Sequence, residues 1–247
     1  VNMFKIIATL YLVAAAYAVE FEITNRDGGD IWVGILGNGK PDGSHYEHLH
    51  NGGFVLGSQQ SISINAPDDW QGRFWARTWC DESTGQCLTG NCGRLECAGA
   101  GGEPPATLVE ITLRGWGGID YYDISLVDGF NTLATIEPIG GSGDGGEYSC
   151  RKAVCEYHIN NDCPNELKID GEHGVIACQS ACLHFKNDEY CCSGSHNTPE
   201  TCKSSDWPVD YPKYFKDRCP DAYSYAYDDH KATFTCLANK YVITLGG

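Results

Sequence analysis

Residues 110–128, EITLRGWGGIDYYDISLVD, contain two runs of alternating apolar and polar side chains that are joined by a glycine-rich turn. Alternation with a period of two is typical of β-strands that bury one face. In the first run Glu110 falls on the face opposite Val109 and Ile111, so its side chain is predicted to point away from the more apolar side. The stretch therefore predicts two adjacent strands, around which the rest of the chain is organised.

The negative charges of the carboxylates in this stretch must be balanced by positive charges elsewhere in the chain. Glu110, Asp123 and Asp128 lie on or beside the two predicted strands, and carboxylates gathered on one sheet face repel one another. In a third β-type run, residues 73–79, Arg73 and Arg77 share a face at a period of two. These two cations are candidates to balance the carboxylates.

The chain as a whole is strongly acidic. It has 247 residues, with 17 Lys and Arg against 33 Asp and Glu, which gives a formal charge of -16. Such a surface excludes nucleic acid and anionic membranes as main partners, because both are polyanions. It is compatible with neutral partners such as sugars, and self-repulsion favours a monomer.

Cysteine usage indicates the compartment. Fourteen cysteines follow a segment, residues 1–18, with a basic start, an apolar run and the A-x-A form of a signal-peptidase site. An even cysteine count after a signal peptide predicts a secreted, extracellular protein with a disulfide framework. A catalytic thiol and a Cys-x2-Cys zinc site are not supported, and no transmembrane segment is expected because the apolar run is too short.

Two other patterns predict local structure. The β-type runs at residues 21–24 and 31–35 flank a turn-like segment, which predicts a β-hairpin. Residues 174–185 place apolar side chains near helical spacing, which predicts one short helix.

Residues 38–53 contain His45, His48 and His50. Three imidazoles this close can bind a metal ion if the loop folds back. Because no ordered scaffold is visible around them, a solvated loop is favoured. Neither a metal nor a cofactor is expected.

Six short motifs occur in order along the chain. They are FEITN at 21–25, GRFWART at 72–78, PPATL at 104–108, DISLVDGFN at 123–131, YCC at 190–192 and CPDAYSY at 219–225. Together they resemble the thaumatin-like (pathogenesis-related group 5) family. The resemblance spans residues 20–245 and rests on many ordered motifs, so it is highly specific.

The resemblance implies an all-β fold, a β-sandwich core with two small disulfide-rich lobes, one of which carries a short helix. The core would comprise residues 19–77, 106–156 and 220–247, the small lobe residues 78–105, and the larger lobe residues 157–219. The resemblance also implies the pairs Cys80-Cys87, Cys92-Cys97, Cys150-Cys236, Cys155-Cys219, Cys163-Cys178, Cys182-Cys191 and Cys192-Cys202.

The chain departs from the family pattern at several positions. Most members have sixteen cysteines, and the two absent here would fall near Asp27-Gly28 and near Gly246, where the family pairs them with each other. Their joint absence leaves no orphan thiol. Trp79 stands where glycine is common, which puts the local loop geometry in doubt.

The resemblance further implies a substrate-binding cleft between the core and the larger lobe. Carried over by position, its residues are Arg73, Glu110, Asp123, Asp128 and Asp228. We expect Arg73 to hold Asp123 or Asp228 ionised through a bidentate pair. The alternative is that Asp128 only shapes a turn and that Asp123 and Asp228 only make ion pairs with Arg73 or Arg77.

Such a cleft has the groups for glycoside hydrolysis. The reaction needs an acid to protonate the leaving oxygen and a carboxylate that attacks or activates water. Glu110 is the candidate acid, because acidic neighbours raise the pKa of a carboxyl, with Asp128 as the second carboxylate and Asp123 as its substitute. Candidate stacking surfaces for sugar rings, or simply core aromatics, are Trp75, Trp116, Tyr122, Phe130 and Tyr225.

These observations predict a secreted antifungal defence protein that binds β-1,3-glucan or another cell-wall polysaccharide, with weak endo-β-1,3-glucanase activity as a plausible mechanism. One alternative is a true glucanase, which requires carboxylates about 5–5.5 Å apart for retention or about 6.5–9.5 Å for inversion. Another is a protein-binding inhibitor of secreted hydrolases that would use loops such as residues 38–53.

Overall fold

Two large β-sheets enclose one core in the computed structural model, which describes residues 18–228 and 232–247. The prediction of a signal peptide over residues 1–18 lies, except for Ala18, outside the described residues. The strands are β1 (Ala18–Asn25), β2 (Ile31–Gly37), β3 (Gly53–Leu56), β4 (Ser61–Pro67), β5 (Gln71–Cys80), β6 (Cys87–Thr89), β7 (Leu108–Thr112), β8 (Asp120–Ser125), β9 (Ala134–Pro138), β10 (Ala153–Cys155), β11 (Lys168–Gly171), β12 (Gly174–Cys178), β13 (Phe234–Cys236) and β14 (Lys240–Leu245).

Sheet pairing is antiparallel except where β1 and β14 run parallel. One sheet has five strands in the order β10-β9-β14-β1-β4. The other has seven, in the order β13-β8-β7-β5-β2-β3 with β6 paired to β5. Strands β11 and β12 form a separate two-stranded sheet. The all-β fold class predicted from the resemblance is confirmed.

Helices are few and lie in the segment expected to form the larger lobe. They are α1 (Ala181–Phe185), α2 (Asp188–Cys191) and α3 (Tyr211–Arg218), with 3-10 turns at Leu49–Gly52, Trp116–Gly118, Ile159–Asn161, Asn165–Leu167, Gly194–His196 and Ser204–Asp206. Of the single helix predicted over residues 174–185, only the second half is helical. The first half is β12, whose backbone groups pair with β11. The exact division into core and lobes stays a prediction.

Aromatic side chains fill the space between the two large sheets. Phe21 of β1 lies 5.0 Å from Phe74 of β5, measured between ring centroids, and 5.6 Å from Trp70. All three rings are fully buried. Burying such rings is the main stabilising contribution in a β-sandwich core, about 1.5–3 kcal/mol for each large apolar side chain.

The predicted hairpin between residues 21–24 and 31–35 is wrong. Strand β1 lies in the five-stranded sheet and β2 in the seven-stranded sheet. The buried side chain of Asn25 donates hydrogen bonds to the carbonyls of Gly29 and Leu56, at 2.9 Å each. This anchoring makes the intervening segment a crossover between sheets, although its residues are also those of a tight turn.

All fourteen cysteines are paired. The bridges are Cys80-Cys87, Cys92-Cys97, Cys150-Cys236, Cys155-Cys219, Cys163-Cys178, Cys182-Cys191 and Cys192-Cys202, which are the pairs that the resemblance implies. Where the family has an eighth bridge, the two positions are adjacent in space. A Cβ atom added to Gly246 would lie 2.8 Å from the Cβ of Asp27.

Arg77 does not balance the carboxylates, so that prediction is wrong. Its side chain is fully buried, although it shares a face of β5 with Arg73. The guanidinium donates to the backbone carbonyls of Trp32, Val33, Arg94 and Leu95. Arg77 therefore joins β2 and β5 to the loop between Cys92 and Cys97, because the sheet face that is open at Arg73 is covered at Arg77.

In the part of the chain that the structure describes, no helix is long and apolar enough to cross a membrane.

Candidate functional site

Three charged side chains of the predicted site lie in one row across three strands. Arg73 of β5 is directly opposite Glu110 of β7, and Glu110 is directly opposite Asp123 of β8. Directly opposite residues in a sheet place their side chains on the same face, about 4.5–5.5 Å apart at Cβ. The period-two pattern of the sequence thus correctly predicts that Glu110 and Asp123 lie side by side.

This row forms the floor of a concavity of about 350 Å³, which we call the acidic cleft. Its lining residues are Arg73, Leu108, Glu110, Asp123, Ser125, Val127, Asp128 and Tyr223. Asp128 joins the row from the turn after β8, where the N–H of Gly129 donates to the carbonyl of Leu126 at 2.8 Å. Four of the five predicted site residues therefore line one surface.

The segment after α3 forms one wall of the acidic cleft. The N–H of Tyr223 donates to the carbonyl of Ile124, and the N–H of Leu126 donates to the carbonyl of Tyr223, both at 2.8 Å. These two bonds attach residues 219–225 to the end of β8. Tyr223 is a lining residue that the sequence analysis missed, although it lies within one of the recognised motifs.

The ion pair between Arg73 and Glu110 is loose. The Nε atom of Arg73 lies 3.7 Å from Oε1 of Glu110, and about a third of each side chain is exposed. At this distance Nε makes no hydrogen bond to the carboxylate, and within the described residues it has no other hydrogen-bond acceptor. The cleft therefore presents a buried donor beside a partly exposed carboxylate.

Burial shifts the acids of the cleft toward the protonated form. It raises the pKa of Glu110 above its ordinary value of 4.5, while Arg73 opposes the rise and the charge of Asp128 adds to it. Burial also raises the pKa of Asp128, again opposed by Arg73. A carboxyl whose pKa is raised next to a second carboxyl is the arrangement that acid catalysis uses.

Asp120, the fourth carboxylate of residues 110–128, has a structural role. It is fully buried and accepts hydrogen bonds from the backbone N–H groups of Arg114 and Ala238, from the Arg114 guanidinium and from the Tyr241 hydroxyl. The carboxylate thus fixes the turn between β7 and β8 against β14. Asp120 therefore has a full set of hydrogen-bond partners within the protein, whereas the carboxylate of Glu110 is partly exposed.

Asp228 is not among the residues that line the acidic cleft. Its carboxylate lies 2.9 Å from Nζ of Lys216 on α3 and accepts hydrogen bonds from the N–H and hydroxyl of Ser224. Both charged residues line a neighbouring concavity of about 350 Å³. The expectation that Arg73 pairs with Asp228 is wrong, because Lys216 takes that place.

Lys216 was missed because α3 was not predicted. The start of α3 carried a recognisable signal: the carboxylate of Asp210 caps the helix by accepting from the N–H of Lys213, and Pro212 lies in the first turn. An Asp followed two residues later by Pro is typical of a helix start.

The predicted stacking aromatics divide into two groups. Trp75, Tyr122 and Phe130 are fully buried core residues, which agrees with the alternative that these aromatics belong to the core. Trp116 is 89% exposed at the end of the β7–β8 turn, and Tyr225 is half-buried beside Lys216 and Asp228. Of the five, these two have the more exposed rings.

In the loop formed by residues 38–53, His48 makes a structural hydrogen bond. Nδ1 of His48 accepts a hydrogen bond from the N–H of Gly37 at 3.1 Å. Among the described residues, no cluster of three or more His, Cys, Asp or Glu side chains is placed to hold a metal ion.

The chain is similar to known proteins over nearly its whole length. The model of the Thaumatin family matches residues 25–247. "Pathogenesis-related protein 5" of Arabidopsis thaliana is 47% identical over 233 residues, which are 93% of this chain and 91% of that protein. A "Glucan endo-1,3-beta-glucosidase" of Prunus avium is 43% identical over 244 residues, which are 96% and 94% of the two chains.

A solved structure extends the likeness in fold. The laminaripentaose-producing β-1,3-glucanase of GH family 64 from Paenibacillus barengoltzii, complexed with laminarihexaose, superposes with a TM-score of 0.60. The match covers 97% of this chain and 79% of that chain. Because the sequences are 14% identical, it shows a shared fold alone.

Proposed function

The chain belongs to the thaumatin family, and from that premise we propose that it is a secreted defence protein whose acidic cleft binds β-1,3-glucan of fungal cell walls. The observation that carries this proposal is the row of Arg73, Glu110 and Asp123 across three strands. Like charges directly opposite each other destabilise a sheet, so their presence in the middle of one favours a role in ligand binding.

The chemistry of the cleft suits a neutral sugar chain. Hydroxyl groups of a glucan donate hydrogen bonds to carboxylates such as Glu110 and Asp128, and they accept from a guanidinium such as Arg73. Hydrogen bonds to charged groups contribute more than neutral ones, about 1.5–3 kcal/mol each. The concavity, about 350 Å³, is within the usual size range of ligand sites.

Relatives and disulfides support the role in defence and the compartment. One relative at 47% identity is named a pathogenesis-related protein, and another at 43% identity is named a glucan endo-1,3-beta-glucosidase. Seven disulfides are typical of proteins that fold and function in an oxidising environment, so we place this protein outside the cell.

Hydrolysis of the bound glucan is a second candidate function, which the raised pKa of Glu110 favours. In this mechanism protonated Glu110 donates its proton to the leaving glycosidic oxygen. Asp128 then attacks the anomeric carbon or activates a water molecule. Arg73 favours the ionised form of the second carboxylate, since its charge opposes the rise that burial causes in the pKa of Asp128.

Binding and hydrolysis are tested together with the purified protein. We expect an insoluble β-1,3-glucan to retain the wild type, and we expect Glu110→Gln and Asp128→Asn each to weaken retention about tenfold. Glu137→Gln is the matched control, because Glu137 is an exposed carboxylate on β9 of the other sheet.

Release of reducing ends from the same glucan separates the two candidates. Release that Glu110→Gln abolishes supports hydrolysis, and retention without release supports binding alone. Wild-type protein that neither binds nor cuts the glucan would contradict the proposal and favour a protein partner. Retention that Glu110→Gln and Glu137→Gln lower equally would place the binding surface outside the cleft.

A further inference from the structure

A second cavity, of about 410 Å³, lies away from the acidic cleft. Its wall includes Asp30, Trp32, Thr78, Trp79, Phe130 and Asn160. Of the described residues, none lines both this cavity and the acidic cleft. We call it the Trp79 cavity. Its volume is within the range of small-molecule sites, about 300–1,000 Å³.

Trp32 lines the Trp79 cavity, and its side chain carries a buried hydrogen-bond donor without a partner among the described residues. The side chain is 93% buried, and its indole Nε1 makes no hydrogen bond with any described residue. The indoles of Trp70 and Trp75, which are fully buried, donate to the carbonyls of Glu47 and Gly90, at 2.8 Å each. Because buried indoles usually find an acceptor, an unpaired N–H in the wall of a cavity is unusual.

Asn160 also lines the cavity, and its side chain carries a buried acceptor without a partner among the residues that the structure describes. Its Nδ2 donates to the carbonyls of Asn131 and Ile176, at 3.0 and 3.2 Å. Two carbonyl acceptors fix which end of the amide is nitrogen, so the other end is the oxygen. That oxygen is buried and accepts no hydrogen bond within the described part of the chain. The cavity is therefore lined by residues that carry one unpaired donor and one unpaired acceptor.

Trp79 gives the cavity an aromatic wall in a conformation that is unfavourable for tryptophan. Its φ is +51°, in the left-handed region, and 41% of its surface is exposed. One face stacks on the ring of His173, with centroids 5.0 Å apart and planes 15° apart. A strained, exposed aromatic ring that is held in place by a neighbour is suited to contact a ligand.

The charges at the cavity oppose anions. Asp27 and Asp30 line it, and the described lining contains no Lys or Arg. Hydroxyl groups both donate and accept, as Trp32 and Asn160 require, and the apolar face of a sugar ring packs on tryptophan. We propose that the Trp79 cavity is a second carbohydrate site that binds a neutral mono- or disaccharide, independently of the acidic cleft.

Indole N–H signals of the ¹⁵N-labelled protein test this proposal directly. The probes are methyl β-glucoside, cellobiose and laminaribiose. We expect at least one to shift the Trp32 signal saturably, with a Kd of about 1 mM or tighter. The signals of Trp70 and Trp75 serve as internal controls, because their N–H groups are already bonded to carbonyls. No saturable shift of Trp32 with any probe overturns the proposal.

Trp79→Gly tests the aromatic wall without endangering the fold, because glycine tolerates φ +51°. We expect its affinity for the same sugar to fall about tenfold. Trp116→Ala removes an exposed tryptophan that lines neither site, and it is expected to leave the affinity unchanged. Equal affinity in Trp79→Gly and the wild type overturns the proposal.

Two further titrations distinguish this site from the acidic cleft and define its ligand. Glu110→Gln is expected to leave the Trp32 titration unchanged, whatever it does to glucan retention. Loss of the titration in Glu110→Gln would mean that the sugar binds in the cleft. Glucuronate is expected to bind more weakly than the neutral sugars because of Asp27 and Asp30, and equal binding would overturn the assignment to neutral sugars.

Discussion

Burial has opposite consequences for Asp120 and Glu110, because only Asp120 is surrounded by donors. Asp120 receives hydrogen bonds from Arg114, Ala238 and Tyr241, so its charge is compensated inside the protein. Glu110 has a loose ion pair with Arg73 and a second carboxylate directly opposite. A carboxylate with full protein partners stabilises the fold, whereas a partly exposed one among acids remains available to a ligand.

Asp120→Asn is therefore expected to destabilise the protein strongly. The amide would face donors of Arg114 and Ala238 and leave the half-buried guanidinium of Arg114 without its counter-charge. Removing one partner of a buried pair costs about 3–5 kcal/mol. Denaturant unfolding followed by tryptophan fluorescence, with the disulfides intact, measures the loss. Asp206→Asn, at an exposed carboxylate, is the control, and an equal effect of both changes would contradict this role of Asp120.

Glu110 gives the folding stability a distinct pH dependence. A carboxyl with a higher pKa in the folded than in the unfolded state binds more protons when folded. Its stabilising contribution is therefore present below about pH 4.5 and is lost as pH rises through the raised pKa of the folded state. Because glutamine does not titrate, Glu110→Gln removes this loss of stability at higher pH.

We expect Glu110→Gln to flatten the fall in unfolding free energy between about pH 4.5 and pH 7. Because a third of the side chain is exposed, the gain at pH 7 is small, about 1 kcal/mol or less. Denaturant titrations at a series of pH values measure the slope, and Glu137→Gln should leave it unchanged. A steeper slope in Glu110→Gln would mean that the pKa of Glu110 is lowered.

Among the elements, β5 shows how one strand serves two environments. Arg73 near its start opens to the acidic cleft, and Arg77 near its end is enclosed by carbonyls of β2 and of the loop that Cys92-Cys97 closes. Burial lowers the pKa of Arg77 to about 10, so the guanidinium remains charged at neutral pH. The planar guanidinium of arginine can donate hydrogen bonds to several carbonyls at once, which the ammonium of lysine cannot.

Arg77→Lys is expected to lower the free energy of unfolding by about 3 kcal/mol, because several buried carbonyls lose their donor. Arg73→Lys, on the open part of the same strand, should cost less than about 1 kcal/mol. Thermal unfolding of the two variants compares them directly. Equal melting temperatures would show that the carbonyl contacts of Arg77 contribute little.

The sequence pattern predicts strands better than it predicts their partners. The stretch around Glu110 forms the expected strand pair because its short turn and period-two pattern require the same register. The alternation of β1 and β2 is equally clear, but it does not reveal that Asn25 anchors a crossover between sheets. Likewise the environment of Arg77 depends on a distant loop, and that of Asp228 on α3, so neither follows from local spacing.

At the scale of the whole molecule, the adjacency of Asp27 and Gly246 offers a stability test. Asp27→Cys with Gly246→Cys would join the segment after β1 to the segment after β14. We expect this bridge to form after a small backbone shift, because a disulfide needs its Cβ atoms about 3.5–4.5 Å apart. Allowing for the φ of +77° at Gly246, which favours glycine, the gain should be about 2 kcal/mol. For a chain of this size that corresponds to a rise in Tm of about 4–8 °C.

Mass spectrometry of the oxidised protein identifies the new bridge, and thermal unfolding measures its effect. The two single-cysteine variants are the controls, since each carries one substitution without the bridge. Two free thiols that persist in the double variant would show that the segments are farther apart than the structure places them.

The position of β14 in its sheet has a consequence for how the protein folds. Strand β14 is the middle strand of five and pairs in parallel with β1. Phe21 therefore pairs with Tyr241, although most of the chain separates them in sequence. Such long-range pairing slows folding, because a very large loop must close first. Until β14 has paired, β1 lacks one of its two neighbours and exposes the unpaired N–H and C=O groups of a strand edge. We expect partly folded chains that lack this pairing to be prone to aggregation, because an unpaired strand edge can pair with another chain.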